Sequence, residues 1–383
     1  MSDKDTKRKK YIDSDVYTEA KKRIRHVIES FDNVLVAFSG GKDSLTCLYL
    51  VQEVYKEMGI KEKVKVFFRD EELIPDDVIN FVQQKAESGE FDFRYYAIPL
   101  WSTKYILGKT YDYIQWDKNR KWLRNPPDYA IRLDKDDDRV FSQYDADAFI
   151  CQNEKGRCAI ITGVRADESL MRLASIVQVK NECYIAGTET KRIKLVKPIY
   201  DWTQRDIFVY FCKNDIKYCK IYDNEMWNRQ PLRVATPLHA ESAKRFYQQK
   251  TLYPKFYQQL VDIFPEMLVQ EKYYTQYSPD AVIKDYEHSF DGIRKYIKDK
   301  IDDPAQKILA LERVNTTETT RKNKLRNGEG IENFGGYPVL YVFRAVVTGQ
   351  YKRKIAACAN PSDDMILYEN FQNESGGETE KWQ

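Results

Sequence analysis

The chain has 383 residues, of which 42% are hydrophobic and 32% charged, a composition typical of globular proteins large enough for more than one folded unit. Its 62 basic and 59 acidic residues leave a formal net charge of +3, which is too balanced to indicate nucleic-acid binding by itself. The sequence predicts neither a membrane span nor a secretion signal, because long apolar runs are absent and the first residues are charged. Seven dispersed cysteines then favour a reducing, cytoplasmic setting with free thiols.

Short apolar runs alternate with helical patterns through the first half of the chain. A helical segment at 17–30 precedes the apolar run VLVAF, and residues 43–59 then carry apolar side chains at helical spacing. Three further strands are predicted at 64–68, 93–100 and 157–164, and two further helices at 75–89 and 201–215. This alternation predicts an α/β fold with a doubly wound, mostly parallel sheet that helices cover on both faces.

The patterns divide the chain into four parts. We predict an N-terminal helix with a basic tail at 1–33, an α/β domain at 34–236, a mainly helical and Tyr-rich domain at 237–370, and a disordered tail at 371–383. Within the α/β domain the alternation fails at about 101–149, where a long aromatic and charged insert begins. Inserts of this size in compact domains are usually functional or mobile.

The first strand leads through the turn SGGKDS, residues 39–44, into a helix. A glycine-rich turn at this place directs backbone N–H groups and the positive end of the helix to one point, which makes an anion site. The ATPase P-loop is excluded, because Val36 stands where its first glycine belongs and Asp43 replaces its hydroxyl residue. The dinucleotide pattern G-x-G-x-x-G does not fit either.

The turn SGGKDS resembles the signature of the PP-loop, or adenine nucleotide α-hydrolase, superfamily. Two later segments, ITGVRADESLMR from Ile161 and KPIYDWTQRDIFVY from Lys197, are similar to segments of its phosphoadenosine phosphosulfate (PAPS) reductase-like family. The resemblance implies the fold of that superfamily, ATP or PAPS as the ligand together with Mg²⁺, and cleavage between the α- and β-phosphates that releases pyrophosphate.

The resemblance also implies which residues meet the nucleotide. Lys42, Asp43 and Arg165 are the implied catalytic residues, and Asp43 is the implied Mg²⁺ ligand, since Mg²⁺ prefers carboxylate and phosphate oxygens. Arg165 offers a planar, permanently charged fork for phosphate or sulfate oxygens. The full set of predicted nucleotide-binding residues is Ser39, Gly40, Gly41, Lys42, Asp43, Ser44, Asp70, Gly163, Arg165, Glu168 and Ser169.

Asp70 enters this set from its position after the second strand. In a doubly wound sheet, ligands bind beyond the carboxyl ends of the strands, so the acidic turn that follows VKVFF is placed for ribose or Mg²⁺. PAPS reductases usually carry an Asp-Thr-Gly-like turn there, and the different turn of this chain leaves ATP and PAPS both open as the nucleotide.

The cysteines argue against thiol-dependent reduction of PAPS. The last residues lack the Glu-Cys-Gly-Leu-His-like tail whose cysteine attacks sulfur in assimilatory PAPS reductases, and the last cysteine is Cys358. No C-x-x-C pair occurs. The pairs Cys151/Cys158 and Cys212/Cys219 leave an iron–sulfur cluster open, but the sequence favours cysteines packed in a core.

The insert interleaves tryptophan with basic residues at 116–124. This pattern predicts, in order of preference, a lid over the nucleotide, a polynucleotide contact, or packing, and the basic stretch 321–326 is a second candidate contact for nucleic acid. The whole organisation resembles the immunoglobulin-binding-regulator A (IbrA) subgroup, whose members occur on phages and mobile elements beside a ParB-like companion. The resemblance therefore implies a ParB-like protein partner.

Three functions follow from the sequence. The leading hypothesis is an adenylating enzyme or ATP pyrophosphatase that acts at the α-phosphate of ATP. The nearest alternative is a sulfur-transfer enzyme that uses PAPS. A third is a catalytically silent, nucleotide-sensing regulator that acts with a ParB-like or nucleic-acid partner.

Overall fold

A computed structural model describes residues 12–168, 184–228 and 232–358, except positions 108, 189, 233 and 278, together with residues 172, 361 and 365. Predictions for residues 1–11, Ser169 and the tail 371–383 lie outside these residues. The chain forms two compact units. The first comprises the residues up to Thr103, Asp112–Ser242 and Tyr247–Ile263, and the second comprises Lys104–Tyr111, Ala243–Phe246 and the residues from Phe264 onward. The domain boundary at 236/237 stays a prediction.

Strands and helices are interspersed from α1 to α6. In chain order these elements are α1 (Val16–Ser30), β1 (Asn33–Ala37), α2 (Lys42–Glu57), β2 (Lys65–Arg69), α3 (Asp76–Glu87), β3 (Asp92–Tyr96), β4 (Leu100–Ile106), β5 (Lys109–Gln115), α4 (Gln143–Ile150), β6 (Cys158–Ile161), β7 (Ile185–Gly187), β8 (Ile193–Val196), α5 (Gln204–Lys213) and α6 (Ile221–Trp227).

Six strands form one sheet in the order β3-β2-β1-β6-β8-β7, and all neighbouring pairs are parallel except β7 with β8. Side chains of β1 alternate between two cores. Val36 packs on one face with Leu48 of α2 and Val82 of α3, and Leu35 packs on the other face with Ile150 of α4. Because both faces are covered, residues 34–37 of the strand are all apolar. The predicted doubly wound, mostly parallel sheet is confirmed.

This strand order decides where the site lies. β1 pairs with β2 on one side and with β6 on the other, so the segments that follow these three strands leave the sheet at the same edge. The turn 39–44 follows β1, the acidic turn at 70–72 follows β2, and the GVRADE segment from Gly163 follows β6. The sheet therefore brings three of the predicted motifs to one place.

The insert contains more regular structure than its sequence pattern indicated. β4 and β5 pair in a separate two-stranded sheet, and α4 begins after the N-cap Ser142, which forms a capping box with Asp145. The strand predicted at 93–100 is shorter than expected, because β3 ends at Tyr96 and the unpredicted β4 begins at Leu100.

The remainder of the chain is mainly helical, as predicted. Its helices are α7 (Ala240–Ala243), α8 (Phe246–Leu252), α9 (Pro254–Ile263), α10 (Met267–Tyr277), α11 (Pro279–Ile283), α12 (Phe290–Lys300), α13 (Pro304–Arg326) and α14 (Val339–Val347). A second core includes Ile297, Val314 and Phe343. The basic stretch 321–326 forms the end of α13, where positive side chains offset the helix dipole. Among the described residues, every helix is too short or too polar to cross a membrane.

Candidate functional site

Two glycines shape the turn between β1 and α2. Gly40 has a φ of +76°, and a Cβ at this position would lie 2.8 Å from Cγ1 of Val78. Both the backbone conformation and the space therefore require glycine. Gly41 is the N-cap of α2 and carries no side-chain cap. The N–H groups of the first helical turn consequently point out of the helix toward the space beyond the sheet edge.

The two serines of the motif hold the turn in shape. Ser39 N–H donates to Oγ of Ser44 at 3.1 Å, and the hydroxyl of Ser44 donates to the carbonyl of Gly41 at 3.0 Å. Ser44 is buried. These contacts give the predicted nucleotide-binding serines an observed role in loop geometry, and a direct contact between either serine and a phosphate stays a prediction.

Two cations and one carboxylate meet at the start of α2. Nζ of Lys42 lies 2.9 Å from Oδ2 of Asp43, and Nε of Arg165 donates to Oδ1 of Asp43 at 2.6 Å. Arg165 also forms a bidentate pair with Asp167, at 2.7 and 2.8 Å. Lys42 and Arg165 are both only 3% exposed. The structure thus assembles the three predicted catalytic residues, although Lys42 and Arg165 are 123 positions apart in the sequence.

Asp43 does not fit the predicted Mg²⁺ role in this arrangement. Each of its carboxylate oxygens already faces a cation, Lys42 on one side and Arg165 on the other. A divalent ion at the same oxygens would be repelled by both side chains. Among the described residues there is also no group of three or more His, Cys, Asp or Glu side chains that could hold a metal ion.

The segment after β6 approaches α2 closely. A Cβ at Gly163 would lie 2.5 Å from the carbonyl carbon of Asp43 and 2.6 Å from the backbone nitrogen of Ser44. Glycine is therefore required here to bring Arg165 to the helix start. Glu168 accepts from the backbone N–H of Arg165 at 3.3 Å and pairs with Arg172, so its observed contacts stabilise the segment.

Tyr222 of α6 covers the turn, a contact that the sequence did not signal. Its hydroxyl accepts a hydrogen bond from the backbone N–H of Lys42 at 2.8 Å, and Nζ of Lys42 lies 5.4 Å from the centre of its ring. Nζ of Lys42 also donates to the carbonyl of Leu232 at 3.2 Å. Burial raises the pKa of Tyr222 well above its ordinary value, which keeps the phenol neutral. The hydroxyl therefore occupies the backbone N–H donor at the first residue of α2.

Asp70 is fully buried in the turn after β2. Its carboxylate accepts from the Tyr95 hydroxyl, from Arg124 at 2.6 Å and from the backbone N–H of Glu72 at 2.8 Å. Burial raises the pKa of Asp70, and the nearby Arg124 charge offsets part of this rise. All of these partners are protein groups, so contact with a ribose or Mg²⁺ stays a prediction for Asp70.

Glu72 anchors the insert to the same turn. It is fully buried, has a φ of 61°, and accepts from the backbone N–H of Trp116 at 2.7 Å and of Leu123 at 3.1 Å. Nη1 of Arg120 donates to it at 2.7 Å. The sequence missed this anchor because acidic residues at the end of a strand suggest a ligand site, whereas here they bind basic residues of the insert.

The tryptophans of the insert are packed against the turn as well. The rings of Trp116 and Trp122 meet edge to face with 5.4 Å between their centres, and Nε1 of Trp116 donates to the carbonyl of Asp70 at 2.7 Å. Trp116 is 2% exposed. The sequence allowed a lid, a polynucleotide contact or packing for residues 116–124. The observed contacts are those of packing, and they lend no support to a polynucleotide contact.

The described cysteines near the sheet are poor nucleophiles. Burial raises the pKa of the Cys151 thiol to about 12 and of the Cys219 thiol to about 11, and it raises the pKa of Cys47, behind the turn, well above its usual range. A thiol with a raised pKa carries little of the reactive thiolate at neutral pH. Cys151 and Cys158 interact through their side chains, whereas Cys212 is exposed on α5.

Comparisons with known proteins show which proteins this chain resembles. The protein YbdN of Escherichia coli (strain K12) is 26% identical over 254 residues, which cover 61% of this chain and 62% of YbdN. The chain therefore spans less than two thirds of that relative.

The solved structures to which the chain is similar have low sequence identity and low TM-scores. The FMN adenylyltransferase of Candida glabrata, in complex with FAD and inorganic pyrophosphate, is 13% identical over 56% of this chain and 64% of its own, with a TM-score of 0.37. The PAPS reductase of Candida auris, in a phosphate complex, is 12% identical over 54% of this chain and 84% of its own, with a TM-score of 0.30. The U34-tRNA thiolase NcsA of Methanococcus maripaludis, with its [4Fe-4S] cluster, is 14% identical over 67% of this chain and 79% of its own, also with a TM-score of 0.30.

These structural likenesses are too remote to carry a functional conclusion, and the assignment depends on the domain match instead. The model of the phosphoadenosine phosphosulfate reductase domain matches residues 33–249, more than half of the chain. The matched range includes the turn after β1, the GVRADE segment and Tyr222. The chain belongs to the phosphoadenosine phosphosulfate reductase domain family.

Proposed function

We propose that the chain binds the phosphates of an adenine nucleotide at the turn 39–44 and is an enzyme that cleaves or transfers at the α-phosphate. The observation that carries the proposal is the meeting of Lys42 and Arg165 at the start of α2, within a domain of the PAPS reductase family. Two buried cations and the positive end of a helix at one point favour a polyanionic ligand.

The chemistry follows from what these groups stabilise. A nucleophile forms a bond to the α-phosphorus, the bond from this phosphorus to the bridging oxygen of pyrophosphate breaks, and pyrophosphate leaves with the electron pair. Lys42 and Arg165 stabilise the negative charge that develops on the phosphate oxygens. The contacts of Asp43 hold these two cations in place, and no step is assigned to Mg²⁺.

A nucleotide-sensing protein without turnover is the second candidate, and Tyr222 favours it. A turn whose N–H group is already bonded to a phenol can exist in a covered and an uncovered state, and a ligand shifts such an equilibrium by binding only one of them. ATP and PAPS both remain open as the nucleotide. Membership of the IbrA-like subgroup and a ParB-like partner stay predictions.

Product analysis separates these possibilities. Purified chain is incubated with ATP labelled at the α- or γ-phosphate, with and without cell extract as a source of acceptors. We expect labelled pyrophosphate and an adenylyl product, and we expect Lys42→Ala to slow their formation about 10- to 100-fold, since it removes a charge-assisted contact of about 1.5–3 kcal/mol. Lys56→Ala, an exposed lysine in the last turn of the same helix, is the matched control.

Three outcomes would change the proposal. Release of orthophosphate, or pyrophosphate release that Lys42→Ala leaves unchanged, would contradict chemistry at this turn. Tight binding of nucleotide that Lys42→Ala weakens, without any product, would favour the regulator. Displacement of bound ATP by PAPS at far lower concentration would identify PAPS as the nucleotide.

A further inference from the structure

The guanidinium of Arg165 is held by acceptors from three parts of the chain. Its Nε donates to Oδ1 of Asp43 at 2.6 Å, and its Nη1 donates to the carboxylate of Asp167, with 2.7 and 2.8 Å to the two oxygens. Nη1 also lies 3.4 Å from the carbonyl oxygen of Trp202. Acceptors of the protein itself therefore occupy two of the three nitrogens of this side chain.

The third nitrogen, Nη2, has no hydrogen-bond partner among the residues that the structure describes. A guanidinium carries five N–H groups in a rigid plane, and two of the five belong to Nη2. Arg165 is only 3% exposed, so water covers little of this positive charge. The two N–H groups of Nη2 are consequently the donors that this side chain offers to a ligand.

Backbone contacts fix the segment on which this arrangement depends. The N–H of Ala166 donates to the carbonyl of Tyr200 at 2.8 Å, which joins the segment after β6 to the turn after β8. Trp202, whose carbonyl faces Nη1, lies in the same turn and is 2% exposed. Rotation of the guanidinium plane would break its contacts with both Asp167 and Trp202. These contacts therefore fix the direction in which Nη2 points.

This side chain and Lys42 belong to one site at the start of α2. Nζ of Lys42 lies 2.9 Å from Oδ2 of Asp43, and the other oxygen of this carboxylate accepts from Arg165. Because the two cations contact the two oxygens of one carboxylate, a single di- or triphosphate is long enough to contact both of them. A nucleotide bound at the turn 39–44 thus lies within reach of Arg165.

We infer that Asp167 is a positioning residue for the nucleotide and that Arg165 binds the phosphates through Nη2. This inference rests on the proposed function and names a residue that acts on the ligand through Arg165. Nε and Nη1 keep their carboxylates when the nucleotide binds, and Nη2 donates to phosphate oxygens. A side chain that is already oriented loses little conformational entropy on binding, so its contact contributes more to affinity.

Charge alone gives the opposite expectation for Asp167. A carboxylate close to bound phosphates repels them, so the removal of a carboxylate that acts only by its charge strengthens the binding of a polyanion. The removal of a carboxylate that orients Arg165 weakens binding instead. The sign of the change in affinity therefore distinguishes the two roles.

A double-mutant cycle on nucleotide affinity tests the inference. Isothermal titration calorimetry measures the binding of a non-hydrolysable ATP analogue to the full chain, to Asp167→Ala, to Arg165→Ala and to the double variant. We expect Asp167→Ala to weaken binding about 10-fold when Arg165 is present and less than about 2-fold when it is replaced by alanine. Asp167→Glu, which keeps a carboxylate, restores part of the affinity. The control is Asp128→Ala, at an exposed aspartate of the insert.

A crystal structure of the unaltered chain with the same analogue gives a readout that does not depend on the folding of any variant. We expect a phosphate oxygen within hydrogen-bond distance of Nη2 of Arg165, while Asp43 and Asp167 keep Nε and Nη1. A phosphate oxygen that replaces Asp167 at Nη1 would overturn the inference, because Asp167 would then compete with the ligand.

The two proposals fail in different ways. Stronger or unchanged binding in Asp167→Ala, an equal loss of affinity with and without Arg165, or binding that Arg165→Ala leaves unchanged overturns the inference. Each of these results leaves phosphate binding by Lys42 at the turn 39–44 intact. Absence of nucleotide binding by the unaltered chain, or binding that Lys42→Ala leaves unchanged, overturns both proposals.

Discussion

Two turns at the same edge of the sheet use their charges in opposite ways. In the turn after β2, Asp70 and Glu72 are fully buried and their oxygens accept from arginines and backbone N–H groups of the insert. At the turn after β1, the cations Lys42 and Arg165 both contact the carboxylate of Asp43, and the Lys42 N–H is bonded to the phenol of Tyr222. Arg165 also pairs with Asp167. The turn after β2 has the contacts of an anchor, and the turn after β1 brings two cations together at the start of a helix.

The difference shows which charges are available to a ligand. A buried carboxylate with several charge-assisted hydrogen bonds can give up its partners only at a large cost, so it stabilises structure. Lys42, which shares the carboxylate of Asp43 with Arg165, can exchange part of that contact for a phosphate oxygen. Acidic residues after β2 and basic residues after β1 thus have different functions, although both follow strands in the same sheet.

Removal of the anchor has the largest expected effect. Glu72→Ala leaves the part-buried guanidinium of Arg120 without its carboxylate and the N–H groups of Trp116 and Leu123 without their acceptor, and we expect the free energy of unfolding to fall by about 3–5 kcal/mol. Chemical denaturation followed by circular dichroism measures this change. Glu90→Ala, at an exposed carboxylate, changes the same quantity by about 0.5 kcal/mol or less. A loss for Glu72→Ala below about 1 kcal/mol would show that the turn is not an anchor.

A methyl group at Gly163 has an intermediate effect. Gly163→Ala places a Cβ 2.5 Å from the carbonyl carbon of Asp43, so α2 and the segment that carries Arg165 must separate. We expect a loss of about 1–3 kcal/mol of stability together with weaker nucleotide binding. Gly187→Ala is the control, because the nearest atom to its Cβ is Nζ of Lys194 at 3.7 Å. Unchanged nucleotide affinity in Gly163→Ala would contradict a shared site for Arg165 and the turn.

Removal of the Tyr222 hydroxyl has the smallest expected effect, and it strengthens nucleotide binding instead of weakening it. Tyr222→Phe deletes the acceptor that competes with phosphate for the Lys42 N–H, a contact of about 0.5–1.5 kcal/mol, so nucleotide binds about 2- to 12-fold more tightly. Isothermal titration calorimetry measures the change. Tyr218→Phe, whose hydroxyl donates to Asp223 instead, leaves the affinity unchanged. Weaker binding in Tyr222→Phe would mean that the phenol helps to hold the nucleotide.

Local patterns predicted the elements of the sheet that are buried on both faces. VLVAF and VKVFF are apolar runs beside helical periodicity, and β1 and β2 occur within them. β7 and β8 were not predicted, because strands of three and four residues carry too little pattern. β4 was missed because its alternation of buried and exposed residues lies inside an otherwise charged segment.

Contacts between residues of short, contiguous motifs were predictable from the sequence. Contacts of the candidate site that depend on single residues far apart along the chain were not. The turn 39–44 and Arg165 follow from short segments of sequence, and the sheet brings them together as expected. The roles of Glu72 and Tyr222 depend on partners 48 and 180 positions away along the chain. A tyrosine in a Tyr-rich chain gives no local sign of such a contact, and neither does an acidic residue after a strand.

The central claim is that the turn 39–44 holds the phosphates of an adenine nucleotide. A crystal structure of the full chain with a non-hydrolysable ATP analogue tests it most directly. The account predicts phosphate oxygens within hydrogen-bond distance of the Lys42 N–H and of the Lys42 and Arg165 side chains, with the Tyr222 hydroxyl displaced from its present partner. An analogue bound elsewhere, with Tyr222 still bonded to Lys42, would contradict it.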